Sequence, residues 1–150
     1  MKTAGQICRR EVVCAARDAT VQSAAKLMRQ FHVGTVVVVD EMKRRRMPVG
    51  IVTDRDVVVE VNAVDLNPNV ITVGDIMAPG LVTVREDAGL LEAMEIMRVK
   101  GVRRLPVVDR AGGIVGIISI DDLLEVLSEE MAGMTRIVGR ERAHEQASRK

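Results

Sequence analysis

Apolar positions along the chain run through one series of patterns twice. Residues 81–84 form a short apolar run that predicts a strand. After Asp87, the side chains Leu90, Ala93, Met94 and Met97 recur at helical spacing and share one face. Val21, Ala24, Ala25 and Met28 repeat that spacing in the first half. Gly101 follows the second helical stretch, where a left-handed cap is expected, and His32-Val33-Gly34 takes that place in the first. Two further apolar runs follow in each half, 36–39 with 50–52 and 105–108 with 114–118. Four consecutive valines at 36–39, with no polar alternation, predict a strand covered on both faces. Residues 40–47 and 109–113 read as hairpin loops, the second carrying the turn signal Gly112-Gly113. Closing helices are expected over 54–61 and 121–127. Beyond Met134 the chain is mostly polar and reads as a frayed helix or as a segment without order.

The patterns recur because the sequence itself does. Residues 3–40 align with 72–109 without a gap, pairing Thr3 with Thr72, Gly5 with Gly74, Asp18 with Asp87, Met28 with Met97 and Asp40 with Asp109. Past a short insertion in the first copy, 49–56 lies against 115–122. The period exceeds the roughly 20–50 residues of solenoid repeats. Two domain-sized copies meeting face to face, with two pseudo-equivalent clefts between them, are therefore expected. The copies span 3–62 and 72–128, with a connector at 63–71 marked by Asn67-Pro68-Asn69 and a polar tail at 129–150.

Composition narrows the function. The hydrophobic share of the 150 residues is 47%, yet Phe31 is the one aromatic residue, so the core is built from aliphatic side chains and nine methionines. Little π surface is left for stacking bases, which weighs against single-stranded nucleic-acid binding. A net charge of +1 gives no general attraction to nucleic acid or anionic lipid. Cys8 and Cys14 have no counterparts at Met77 and Thr83, which favours free thiols in a reducing cytoplasm over a framework disulfide. No apolar stretch is long enough for a membrane span and no leader pattern precedes the first copy, so a cytoplasmic protein is expected. His32 and His144 lack partners at a zinc spacing, and no hydrolase, metalloprotease or phosphate-loop signature is present.

The chemistry concentrates at one repeated element. Gly50-Ile51-Val52-Thr53-Asp54-Arg55-Asp56 echoes Gly116-Ile117-Ile118-Ser119-Ile120-Asp121-Asp122. In each copy a hydroxyl follows the glycine by three residues, and a carboxylate follows the hydroxyl by three. That spacing makes a helix cap, with Asp in place of the commoner Glu. The same helix start offers free N–H groups and partial positive charge for a phosphate. A carboxylate there suits two hydrogen bonds from a ribose diol. Hydroxyl plus carboxylate thus fits a nucleoside phosphate as well as a cap.

With "HVGTVVVVD", "GVRRLPVVD", "VGIVTDRDVV", "VGIISIDDLL" and "VGDIMAPGLVTV" in register, the chain resembles paired cystathionine-β-synthase (CBS) domains over residues 3–128. The resemblance implies an α/β (α+β) module of two β-α-β-β-α repeats packed sheet to sheet with pseudo-two-fold symmetry. It also implies two clefts that take an adenosine ligand, AMP, ADP, ATP, NAD(H) or S-adenosylmethionine, as a regulatory input. Carried onto these residues, Asp56 and Asp122 match ribose-binding acids, and Thr53 and Ser119 match hydroxyls near phosphate. Val13 and Val82 match positions beside the base, and Arg103 and Arg104 begin a strand from which basic side chains reach phosphate. Gly34 and Thr35 stand opposite those arginines in the first copy, so the two clefts are expected to differ. Arg55 either reaches phosphate or pairs with Asp54.

The resulting expectation is a non-enzymatic cytoplasmic energy or metabolite sensor with no obligatory cofactor. The resemblance implies a homodimer, and the signal is expected to pass to an effector protein, with no membrane partner. Two other readings stay open at this point. One is a ligand-free protein-interaction module; the other is a nucleic-acid-associated protein using Lys43-Arg44-Arg45-Arg46, a run that also reads as a solvated hairpin loop.

Overall fold

The computed structural model describes residues 1–149. It opens on one helical turn, α1 (Ala4–Ile7), then runs through β1 (Cys14–Ala16), α2 (Val21–Phe31), β2 (Thr35–Met42) and β3 (Arg45–Thr53). A short α3 (Asp54–Asp56) continues as a π-helical segment, Val57–Asn62. The second half repeats the order with α4 (Val73–Ile76), β4 (Val84–Arg85), α5 (Leu90–Lys100), β5 (Arg104–Val108), β6 (Ile114–Ser119) and α6 (Ile120–Ser148). The mixed α+β architecture and its two three-stranded sheets agree with the class read from the sequence. In each sheet the central strand pairs parallel to the first and antiparallel to the third.

Local chemistry sets the helix limits. The Thr20 hydroxyl caps α2 by accepting from the Ser23 N–H, and His32 ends it in the left-handed region at φ 53°. Gly101 ends α5 the same way at φ 65°. The faces that pack inward are Val21, Ala24 and Met28 on α2 and Leu90, Ala93 and Met97 on α5. Val36, Val37, Val38 and Val39 are all buried, as an uninterrupted apolar run requires.

Three elements differ from the sequence-based expectation. The loop at 40–47 shrinks to Lys43 and Arg44, both left-handed (φ 49° and 62°), while β2 and β3 pair from Thr35↔Thr53 out to Met42↔Arg45. Those outer rungs are polar, so no apolar pattern announces them, and charged residues suit an exposed sheet edge. At 81–84 only Val84 joins the ladder; residues 81–83 run outside it. Finally, α6 does not stop near Leu127 but continues to Ser148.

The cores are exchanged between the copies. Ala4 and Cys8 of the first copy pack with Val84, Leu105, Ile118 and Leu123 of the second. Reciprocally, Val73 of the second copy sits among Ala24, Val36, Val38 and Val52, with Ile76 and Met77 against the same cluster. Main-chain bonds tie each opening to its host: Gly5 N–H to Glu86 O at 2.9 Å, and Gly74 N–H to Arg17 O at 2.9 Å. The equivalent glycines Gly50 and Gly116 leave room for the exchange, since a Cβ would strike Met77 Sδ at the first and Cys8 Sγ at the second. The Arg45 guanidinium adds a tie between hairpins by pairing with Asp109.

Candidate functional site

Both repeated motifs form the reciprocal cap that their spacing predicts. The Thr53 hydroxyl accepts from Asp56 N–H at 3.2 Å, while Asp56 Oδ2 accepts from Thr53 N–H at 2.8 Å. Ser119 and Asp122 repeat this at 3.2 and 2.8 Å, and the Ser119 hydroxyl also donates to Asp122 Oδ2 at 2.6 Å. The next N–H along each helix start bonds to the other arm of its own repeat, Asp54 to Gly34 O and Ile120 to Arg103 O. These contacts hold each hydroxyl and carboxylate at the rim of a cleft.

Each cleft takes its walls from both copies. In the first, Val13, Gly34 and Thr35 face Ile117, Ser119 and Asp122 around about 260 Å³. In the second, Val82, Arg103 and Arg104 face Thr53, Arg55 and Asp56 around about 480 Å³. Arg104 and Thr35 line both and so form the wall between them. All nine side chains singled out from the sequence therefore lie at a cleft: Val13, Ser119 and Asp122 at the first, and Val82, Thr53, Arg55, Asp56 and Arg103 at the second, with Arg104 at both.

The clefts differ in charge. Arg55, Arg103 and Arg104 face the single carboxylate of Asp56 in the second. In the first, Arg9 and Arg104 meet Glu11, Asp121 and Asp122. Among the described residues Arg55 forms no ion pair, so its guanidinium stays available to the cleft, and the neighbouring Asp54 carboxylate instead accepts from the Arg55 backbone N–H at 2.9 Å.

Their carboxylates also differ. Asp122 is 8% exposed, and its second oxygen accepts from Arg9 Nε at 3.1 Å. Burial pushes this carboxyl up, but hydrogen bonds from Ser119 and Arg9 outweigh it and hold the group below the ordinary aspartate range. Asp56 is partly exposed and, among the described residues, its Oδ1 has no protein partner.

Sequence reasoning missed two residues. Arg9 stands opposite Ala78 in the repeat alignment, a departure from symmetry that is the one signal by which the sequence could have singled it out. Thr35 is 7% exposed, and its Oγ1 is buried with no hydrogen-bond partner. Its alignment with Arg104 was visible, but the orphaned hydroxyl was not. Of the features set aside earlier, Cys8 is buried and Cys14 half-buried, both as free thiols raised by burial. No group of three or more His, Cys, Asp and Glu side chains among the described residues is arranged to hold a metal ion. No helix among them is long and apolar enough to cross a membrane.

Fold and clefts together define a module of two repeats that share their cores and enclose two clefts. The CBS domain family model matches residues 4–63 and 73–129, and the chain belongs to that family. An uncharacterised protein of Methanopyrus kandleri is 38% identical over 122 residues, 81% of this chain; the chain spans only 61% of that relative's length. Hypoxic response protein 1 of Mycobacterium tuberculosis is 31% identical over 129 residues, covering 86% of this chain and 87% of its own. A crystal structure of Hypoxic Response Protein I with two coordinated zinc ions matches at TM-score 0.72 and 30% identity, over 83% of this chain and 98% of that one. The cytosolic domain of the Mg2+ channel MgtE, solved in complex with ATP, matches at TM-score 0.70 and 30% identity, over 83% of this chain and 48% of that one.

Proposed function

We propose that this chain is a regulatory module that binds an adenine nucleotide in its second cleft and acts by binding rather than by turnover. The observation that carries the reading is the charge of that cleft: three guanidinium groups converge there on one carboxylate, which keeps an oxygen free. Arg55, Arg103 and Arg104 supply the countercharge for phosphate, Asp56 Oδ1 accepts from the ribose hydroxyls, and Val82 lies beside the base. The Thr53 oxygen already accepts from Asp56 N–H, which leaves its hydroxyl proton to donate to phosphate. A volume of about 480 Å³ falls in the range of small-molecule sites, roughly 300–1,000 Å³, and the first cleft at about 260 Å³ falls below it. The ATP complex of the MgtE cytosolic domain supports the ligand class.

Because both copies line the cleft, a bound nucleotide bridges them. It shifts their relative arrangement by its difference in affinity for the alternatives. The test is the melting temperature against AMP, ADP, ATP, NAD(H), S-adenosylmethionine and GTP. An adenosine ligand at 100 times its Kd is expected to add about 2.7 kcal/mol, and GTP much less. The absence of a shift with every adenosine ligand would overturn the reading.

A further inference from the structure

We infer that residue 9 and its counterpart 78 decide which cleft takes a ligand. Arg9 occupies the first cleft from within, in the place of a ribose diol, and Ala78 leaves the second open. The inference rests on the nucleotide reading of the second cleft.

Equivalent positions build the two clefts. Arg9, Val13 and Thr35 of the first correspond to Ala78, Val82 and Arg104 of the second, and Ser119 and Asp122 to Thr53 and Asp56. The carboxylates are presented alike, since the two cap bonds measure 2.8 and 3.2 Å in both copies. Only the remaining oxygen differs. Asp122 Oδ1 accepts from Arg9 Nε at 3.1 Å, whereas Asp56 Oδ1 has no protein partner among the described residues.

The main chain fixes Arg9 in this position. Its N–H donates to Ile117 O at 2.9 Å, and the Ile117 N–H donates to Arg9 O at 3.0 Å. The segment before β1 is thereby laid along β6. The Arg9 side chain is 72% exposed and the Asp122 carboxylate 9%, so the arginine closes over an inner group from the mouth of the cleft. Among the described residues no such pair of bonds joins Ala78 to Ile51. The volumes agree with one closed and one open site, about 260 Å³ against about 480 Å³.

A ribose hydroxyl competes poorly with this occupant. It is neutral, whereas the guanidinium makes a charge-assisted bond to the carboxylate. It also arrives from solution, whereas Arg9 is tethered at a high effective concentration. With Arg9 removed, Arg104 would face Glu11, Asp121 and Asp122. That balance repels phosphate but leaves Asp122 Oδ1 free for a ribose, so the vacated cleft suits an uncharged nucleoside.

The experiment is calorimetric titration of the full chain with ATP and with adenosine, for wild type, Ala78→Arg and Arg9→Ala. Alongside it, the Asp56 carboxyl is titrated by NMR without ligand. Ala78→Arg adds a cation to a phosphate site, so its charge alone would tighten ATP binding. A guanidinium that takes Asp56 Oδ1 should instead weaken ATP by about tenfold or more. Asp56 should then titrate at lower pH than in the wild type. Arg9→Ala should bind one more adenosine per chain and no additional ATP. A wild type that binds no ATP would overturn the nucleotide reading alone, since the Asp56 titration and the added adenosine site still decide the roles of residues 9 and 78. Tighter or unchanged ATP binding by Ala78→Arg, an unmoved Asp56 titration, or no added adenosine site in Arg9→Ala would each overturn the inference.

Discussion

Arg9 Nε lies 3.1 Å from Asp122 Oδ1, so a residue at the opening of the first copy occupies the carboxylate that the second copy presents to the first cleft. Ser119 already engages the other oxygen through both its N–H and its hydroxyl. The acid is thereby satisfied from within the protein, in contrast to Asp56.

Arg9→Ala is expected to release Asp122 and to raise its pKa. The sign is fixed by the depressed value in the folded state. Stability from this group is present above the ordinary aspartate pKa and is lost as pH falls through the lower folded one. Without Arg9 the folded value lies nearer the ordinary one, so less stability is present above that pKa and its loss is complete at higher pH; acid unfolding should shift upward. An acid midpoint unchanged from wild type would show that the Arg9 contact does not bias the carboxylate.

The two acids should separate in binding. Asp56→Ala removes the free acceptor of the second cleft and is expected to weaken adenine-nucleotide affinity by about ten- to a hundredfold, the scale of a lost charge-assisted bond. Asp122→Ala should alter affinity far less in the presence of Arg9. Calorimetric titration of both variants checks this, and equal losses would place a nucleotide in each cleft.

Substituting the paired glycines should have unequal costs. At Gly116 an added Cβ meets the Arg9 carbonyl oxygen at 2.9 Å as well as Cys8, whereas at Gly50 its three nearest atoms all belong to the Met77 side chain. A methionine rotates away and a backbone carbonyl does not. Gly116→Ala should therefore cost about 1–3 kcal/mol in urea unfolding, and Gly50→Ala less. The reverse order would show that the second sheet yields more easily than the first.

Thr35→Val tests the orphaned hydroxyl between the clefts. Burying a hydroxyl without a partner costs about 1–3 kcal/mol, and a methyl group of the same shape carries no such penalty. The variant should unfold at higher urea concentration than wild type. A lower midpoint would mean that Thr35 Oγ1 has a partner in solution, such as an ordered water.

Much of this was legible in the sequence because periodicity and repetition report it directly. The inward faces of α2 and α5, the buried valines at 36–39 and the Thr53–Asp56 and Ser119–Asp122 caps all follow from spacing alone. The position of Arg103 and Arg104 relative to the clefts did not, because it depends on how the copies cross. The outer rungs of β2 and β3 were hidden, since Arg45 and Arg46 are polar and pair through their main chain. The length of α6 was hidden for a related reason: beyond Leu127 no described residue is buried, the side-chain tie back to the body being Lys2 to Glu129, and the polar residues after Met134 resemble a tail.

The exchanged openings bear on what half of this protein could be. A chain ending near Asn62 would keep α1 but lose the sheet it covers, and its own sheet would lie bare where Val73 and Met77 now sit. Two such half-chains would complete one another by trading α1, an association governed by concentration. Joining them through residues 63–71 makes the same closure intramolecular, at effective concentrations on the order of millimolar. Duplication and fusion of the repeat thus turn a dimerisation equilibrium into a folding step. They also release the two openings to diverge, so that Arg9 could arise at one and Ala78 at the other.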